Sequence, residues 1–179
     1  MSFKRILVPT DFSIHAGLAL DHALDLARVF EASVTLLHTY EWPMPATMES
    51  GAYLSGDMIQ TLERVAQSSL EEATARAHLH WKGAAGAISC ELAVGPAALR
   101  ITEKAEQGRY DLVVMGTHGR SGLKRLLIGS VAEKVVRSAS CPVLTVRATL
   151  DSLVHDEERS AETSHLAFPH ASAPPSLSK

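Results

Sequence analysis

Cysteine is scarce. Cys90 and Cys141 are the only two in 179 residues, and they are not in C-x-x-C spacing. They read as reduced, structural thiols in or beside strands rather than as a disulfide framework. No apolar run reaches the length a bilayer requires, so no transmembrane helix is expected. The N-terminal MSFKRILVPTDFS has a short apolar run that stops at Pro9 and Asp11, unlike a signal peptide. Net charge is only −3, which leaves no global field to attract nucleic acid or an anionic membrane. These absences indicate a cytoplasmic protein with neither as a partner. What is present is 46% hydrophobic residues in a chain of one-domain length, enough for a real core.

The most informative stretch covers residues 110–147. Leu112-Val113-Val114-Met115 is an apolar run between Asp111 and Gly116, the pattern of a buried parallel strand. The loop GTHGRSG follows. Gly129-Ser130 then opens a helical period in which Ala132, Val135, Val136 and Ala139 share one face. Pro142-Val143-Leu144-Thr145-Val146 reads as a further strand. Glycines let backbone N–H groups approach a ligand closely, and a glycine turn feeding a helix N-terminus gathers free donors at its positive end. That suits phosphate. Ser130 has two available roles, capping the helix or turning its hydroxyl to a phosphate oxygen. From Leu112 to Ala132 there is no carboxylate, whereas Arg120, Lys124 and Arg125 are present.

Upstream, Arg5-Ile6-Leu7-Val8 reads as the first, central strand, stopped by Pro9. Pro9-Thr10-Asp11-Phe12-Ser13 is then a loop at the carboxyl edge, where open α/β sheets bind ligands. Asp11 can meet a sugar hydroxyl or a base amine, or cap the next helix, and Ser13 competes for the cap. A helix is expected over 14–30, with Leu20, Ala23, Leu24 and Ala27 inward and His15 and His22 on a solvated face. SVTLLH (33–38) is the second strand, and His38 reads as packed at its end rather than as a general base. Residues 41–56 are irregular, with Trp42, Met44, Met48 and Tyr53 available for a lid, a partner surface or a plain connector. A long helix is expected over 57–81, with a stripe of Leu62, Val65, Ala66, Ser69, Leu70 and Ala73, ended by Gly83 to Gly86. His78 and His80 point to opposite faces and make no metal box. A third strand covers 87–94, and Gly95-Pro96 opens a helix that Gly108 ends. The Gly95-Pro96 backbone is expected near the pocket. After Arg147 the periodic pattern stops. Residues 148–179 read as a disordered tail whose His155, His165 and His170 lack metal-ligand spacing.

The spacing Gly116-x2-Gly119-x9-Gly129-Ser130 is neither a P-loop nor a dinucleotide fingerprint. It resembles the G-x2-G-x9-G-[ST] motif of the ATP-binding branch of the universal stress protein family. ILVPTDFS, the LLH strand end, VMGTHGRSGLKRLLIGSVAEKVV and CPVLTVR agree, and the resemblance covers residues 1–147. It implies an α/β fold with an open, doubly wound, five-stranded parallel sheet and helices on both faces, Rossmann-like and adenine nucleotide alpha hydrolase-like. It further implies that ATP or AMP, with Mg²⁺ accompanying a triphosphate, binds at the carboxyl edge. Pro9, Thr10 and Asp11 would meet the nucleoside and Thr39 the base through its backbone. Met115 and Gly116 would line the ribose and first phosphate. Thr117, His118, Gly119 and Arg120 would wrap the phosphates, and Gly129, Ser130 and Val131 would close the far side. A homodimer through 142–146 and an unidentified signalling partner are implied as well.

Three functions compete. One is a nucleotide-dependent signalling module in stress survival. Another is a slow ATPase or autophosphorylating protein, for which only His118 in the glycine loop could act as base. The last is a nucleotide-free interaction protein, which the intact motif disfavours. No catalytic residue and no metal ligand is assigned.

Overall fold

A computed structural model describes residues 2–41, 56–81, 88–117 and 128–147. Strands and helices alternate along the chain: β1 (Arg5–Thr10), α1 (Ile14–Phe30), β2 (Ser33–Tyr40), α2 (Gly56–His80), β3 (Ile88–Val94), α3 (Ala97–Gln107), β4 (Leu112–Gly116), α4 (Ser130–Ser138) and β5 (Val143–Val146). All strand pairings are parallel, in the order β3-β2-β1-β4-β5. The chain winds outward from β1 in one direction and then the other, so the sheet has its topological switch point between β1 and β4.

Strand alternation sorts the core into two layers. Ile6, Val8, Val34, Leu36, Leu112 and Val114 face one way and pack on Ala19, Ala23 and Ala27 of α1 and on Leu70, Ala73 and Ala77 of α2. Leu7, Leu37, Val113 and Met115 face the other way, against Ile101 and Ala105 of α3 and Ala132 and Val135 of α4. The sheet is therefore covered on both faces, which is why its strands are continuous apolar runs. The bottom of the central pair is tied by Asp111, whose Oδ2 accepts from the N–H groups of Lys4 (2.8 Å) and Arg5 (2.9 Å).

Several expectations change. Pro9 does not stop β1: it is buried within the strand and pairs with Leu37. The β1–β4 register extends only over Ile6 and Leu7, so Pro9 sits where one neighbouring ladder has ended, a position that tolerates its missing donor. The stripe on α2 is buried only from Leu70 onward, while Leu62 and Val65 are exposed, Val65 at 60%. The reason is length. Twenty-five helical residues span about 37 Å, whereas the seven of β3 span about 23 Å, so the first turns overrun the sheet. On α4, Val136 is exposed and only Ala132 and Val135 are buried. His22 is exposed, but His15 is half-buried against β4. No helix among the described residues is long and apolar enough to cross a membrane. The loop 42–55, the glycines near 83–86 and the tail lie outside the described residues.

Candidate functional site

A cavity of about 360 Å³ opens at the carboxyl edge, on the α3/α4 face beside the switch point. Each wall comes from a strand end or helix start. Pro9, Thr10 and Asp11 end β1; Leu37 and Thr39 come from β2; Met115, Gly116 and Thr117 end β4. Gly129, Ser130, Val131 and Ala132 open α4, and Ala97 and Ile101 come from α3. Residues separated by more than a hundred positions thus meet because parallel strands end on one edge.

The β1–α1 turn is built from short polar contacts. The Phe12 N–H donates to Thr10 Oγ1 (3.0 Å), and Phe12 takes a left-handed φ of 63°. Asp11 Oδ1 accepts from both the N–H (3.1 Å) and the hydroxyl (2.6 Å) of Ser13. Ser13 Oγ in turn accepts from Ala16 N–H and is the N-cap of α1. Ser13 is the N-cap, while Asp11 braces it and lines the cavity. β2 runs two residues beyond the expected end, so His38 lies inside it, its Nδ1 2.8 Å from the Thr10 carbonyl and its ring on Phe12.

The opposite wall is pinned at Thr117. Its N–H donates to the Val146 carbonyl (2.8 Å), and its carbonyl accepts from Gly129 N–H (2.7 Å). The two ends of the glycine-rich segment are thereby joined at its base. Gly129, not Ser130, is the N-cap of α4, and Ser130 is the exposed first helical residue. The first intrahelical bond runs from Glu133 N–H to the Gly129 carbonyl (2.9 Å). Among the described residues, the N–H groups of Ser130, Val131 and Ala132 have no intrahelical partner, and they lie at the positive helix end. Among the described lining residues, Asp11 is the one charged group. His118, Gly119 and Arg120 lie outside the described residues.

A floor of apolar side chains beneath polar donors at a switch point has the composition of a small-ligand site. Comparison with known proteins places the fold in its lineage. Residues 2–147 match the model of the Universal stress protein family. The chain belongs to that family. It is 35% identical to universal stress protein MJ0531 of Methanocaldococcus jannaschii, over 81% of this chain and 82% of that one. The solved structure of MJ0577, a universal stress protein of the same archaeon, superposes with a TM-score of 0.69 at 29% identity, covering 83% of this chain and 99% of the other. A universal stress protein solved in complex with cAMP is 26% identical, with a TM-score of 0.59 and 83% and 100% coverage.

Within this universal stress protein, sequence reasoning overlooked Ala16, Leu37, Ala97, Ile101 and Ala132 as lining residues. Leu37 was readable, since it shares a strand face with Thr39. Ala97 and Ile101 lie one helical turn apart on α3, the signal of a sheet-facing stripe. Gly95 and Pro96, expected near the pocket, do not line it. Gly95 has φ +125° and donates its N–H to Tyr40 O (2.8 Å), and Arg100 folds over it to reach the Val94 carbonyl (2.7 Å). The α3 side chains, rather than the turn before them, reach the cavity.

Proposed function

We propose that this chain binds an adenine nucleotide, ATP or AMP, in the carboxyl-edge cavity and acts as a nucleotide-dependent signalling module. One observation carries the reading. Pro9, Thr10, Asp11, Thr39, Met115, Gly116, Thr117, Gly129, Ser130 and Val131, each named from its motif, line a single cavity with the α4 N-terminus. The nucleoside lies between the β1 end and Thr39, over Leu37 and Met115. The phosphates lie at the α4 donors, where Ser130 adds a hydroxyl. By the motif, His118, Gly119 and Arg120 are assigned to the phosphate side, the positive charges of Arg120, Lys124 and Arg125 suit an anionic ligand, and Mg²⁺ accompanies a triphosphate. A homodimer forms through β5, an edge strand that pairs only with β4 among the described residues and leaves Leu144 40% exposed.

The test is to purify the protein without added nucleotide, denature it, identify what is released, and titrate the emptied protein with ATP, AMP and cAMP. Cyclic AMP belongs in the set because a solved relative carries it. Binding of an adenine nucleotide is expected, with Ser130→Ala weaker by roughly 5- to 10-fold for one lost hydrogen bond. Gly119→Asp, which brings a carboxylate to the phosphates, should abolish binding. A folded protein that binds none of the three refutes the reading.

A further inference from the structure

We propose that His38 is a positioning residue of the nucleotide site: from the face of β2 opposite the cavity, it holds the Thr10–Ser13 turn in the shape that presents Thr10 and Asp11 to the ligand. This rests on reading the cavity as a nucleotide site.

His38 does not line the cavity. It alternates with Thr39, which does, and shares its strand face with Val34 and Leu36 of the α1/α2 layer. Its Nδ1 lies 2.8 Å from the Thr10 carbonyl. A carbonyl oxygen only accepts, so Nδ1 carries the hydrogen and His38 is the donor. Its ring lies against the Phe12 ring, with centroids 4.4 Å apart. Phe12 is the strained residue of the turn: a bulky L-residue holds a φ of 63° only where its surroundings impose it.

Phe12 N–H to Thr10 Oγ1 and Ser13 to Asp11 are bonds internal to the turn, and the Ala16 and Gly17 N–H groups bond Ser13 and tie its end to α1. Backbone pairing with β2 places Thr10 on the sheet, in register with His38. Beyond that pairing, the His38 side chain adds a grip from β2 on the turn itself. It grips both the carbonyl before Asp11 and the aromatic ring after it, from the residue adjoining Thr39. The two sides of the nucleoside wall are thereby held in one geometry, and loss of the grip lets Asp11 drift without unfolding the sheet.

The test uses the full chain and compares three variants. Asparagine places an amide N–H where Nδ1 stands, glutamine places it nearer the Nε2 position, and alanine has neither. AMP and ATP affinities are read by titration calorimetry on nucleotide-free protein, alongside thermal midpoints. His38→Ala and His38→Gln should bind about tenfold more weakly, and His38→Asn within about threefold of the parent. A merely structural role predicts affinities that follow the thermal midpoints without distinguishing Asn from Gln. If His38→Ala does not fold, the Asn and Gln pair decides. Parent-like binding by Ala or Gln, or Asn as weak as Ala, overturns the proposal while leaving the nucleotide site standing. A folded parent that binds no adenine nucleotide overturns both.

Discussion

Gly116 ends β4 at the cavity rim, and the first turn of α1 lies directly on it. A Cβ added there would meet His15 Cβ at 2.9 Å and the His15 backbone carbon and oxygen at 3.0 Å. Two of these atoms belong to helical backbone, so no rotamer change relieves the contact, and α1 must move relative to β4. Overpacking of this kind costs about 1–3 kcal/mol. Replacing glycine returns up to about 1 kcal/mol through the unfolded chain. The net loss for Gly116→Ala is about 0–3 kcal/mol, centred near 1–2 kcal/mol, and that central loss lowers the midpoint by roughly 2–8 °C in a domain of this size. Gly17 is the matched control: it is exposed on α1, and its added Cβ meets nothing within 4 Å. Gly17→Ala should gain about 0.5–1 kcal/mol from helix propensity. Both variants are melted by circular dichroism after nucleotide is removed, because ligand would mask the difference. If Gly116→Ala melts at or above Gly17→Ala, α1 does not rest on the β4 end and the account of the rim is wrong.

Gly95→Ala should cost about 1–3 kcal/mol, since φ +125° is unfavourable for a side chain and the new Cβ displaces Arg100 from the Val94 carbonyl; urea denaturation of the pair checks it, and a neutral result refutes the strain. The Cys141 thiol is pushed above its ordinary value of 9.0 by burial and by the Asp111 carboxylate, against a lowering hydrogen bond from the Val113 backbone. In a Cys90→Ser background, alkylation near pH 8 should therefore be slower than for a free thiol, and a rate equal to that of free cysteine would overturn this. The linked effect has a definite sign. A raised folded-state value means the native state holds the proton more tightly, so Cys141 contributes stability below its unfolded-state value that is lost as pH rises through the folded one. An alkaline melting series should show Cys141→Ala losing less stability than the parent across that window.

Some elements were legible along the chain because their causes are local. Short apolar runs fall on β1, β2 and β4 and a period-3.6 pattern on α1, and the expected span of α1, 14–30, matches Ile14–Phe30. The order of alternating elements suffices for a parallel sheet with covered faces. What misled was also local reading. Pro9 resembles a strand stop until β4 is seen to leave β1 after Leu7. Val65 and Val136 fit a stripe, but a stripe does not reveal where the neighbouring layer ends. Ser130 looks like a cap, yet the extended backbone of Gly129, whose carbonyl accepts the first helical bond from Glu133 N–H, makes Gly129 the boundary residue.

The same division runs through the candidate site. Glycine spacing and the PTDFS loop were visible as motifs because residue type and spacing are properties of the chain itself, whereas Thr39 was pointed to by the family resemblance alone. That Pro9 to Asp11, Thr39, Gly116 and Gly129 surround one cavity, that α3 contributes Ala97 and Ile101, and that His38 braces Thr10 from the far face of β2 all depend on tertiary structure. Sequence by itself determined which segments pair with a sheet and where backbone donors are left over. Only the tertiary structure decided which side chains face one another across it, because strand order and layer thickness are set by packing between segments far apart in the chain.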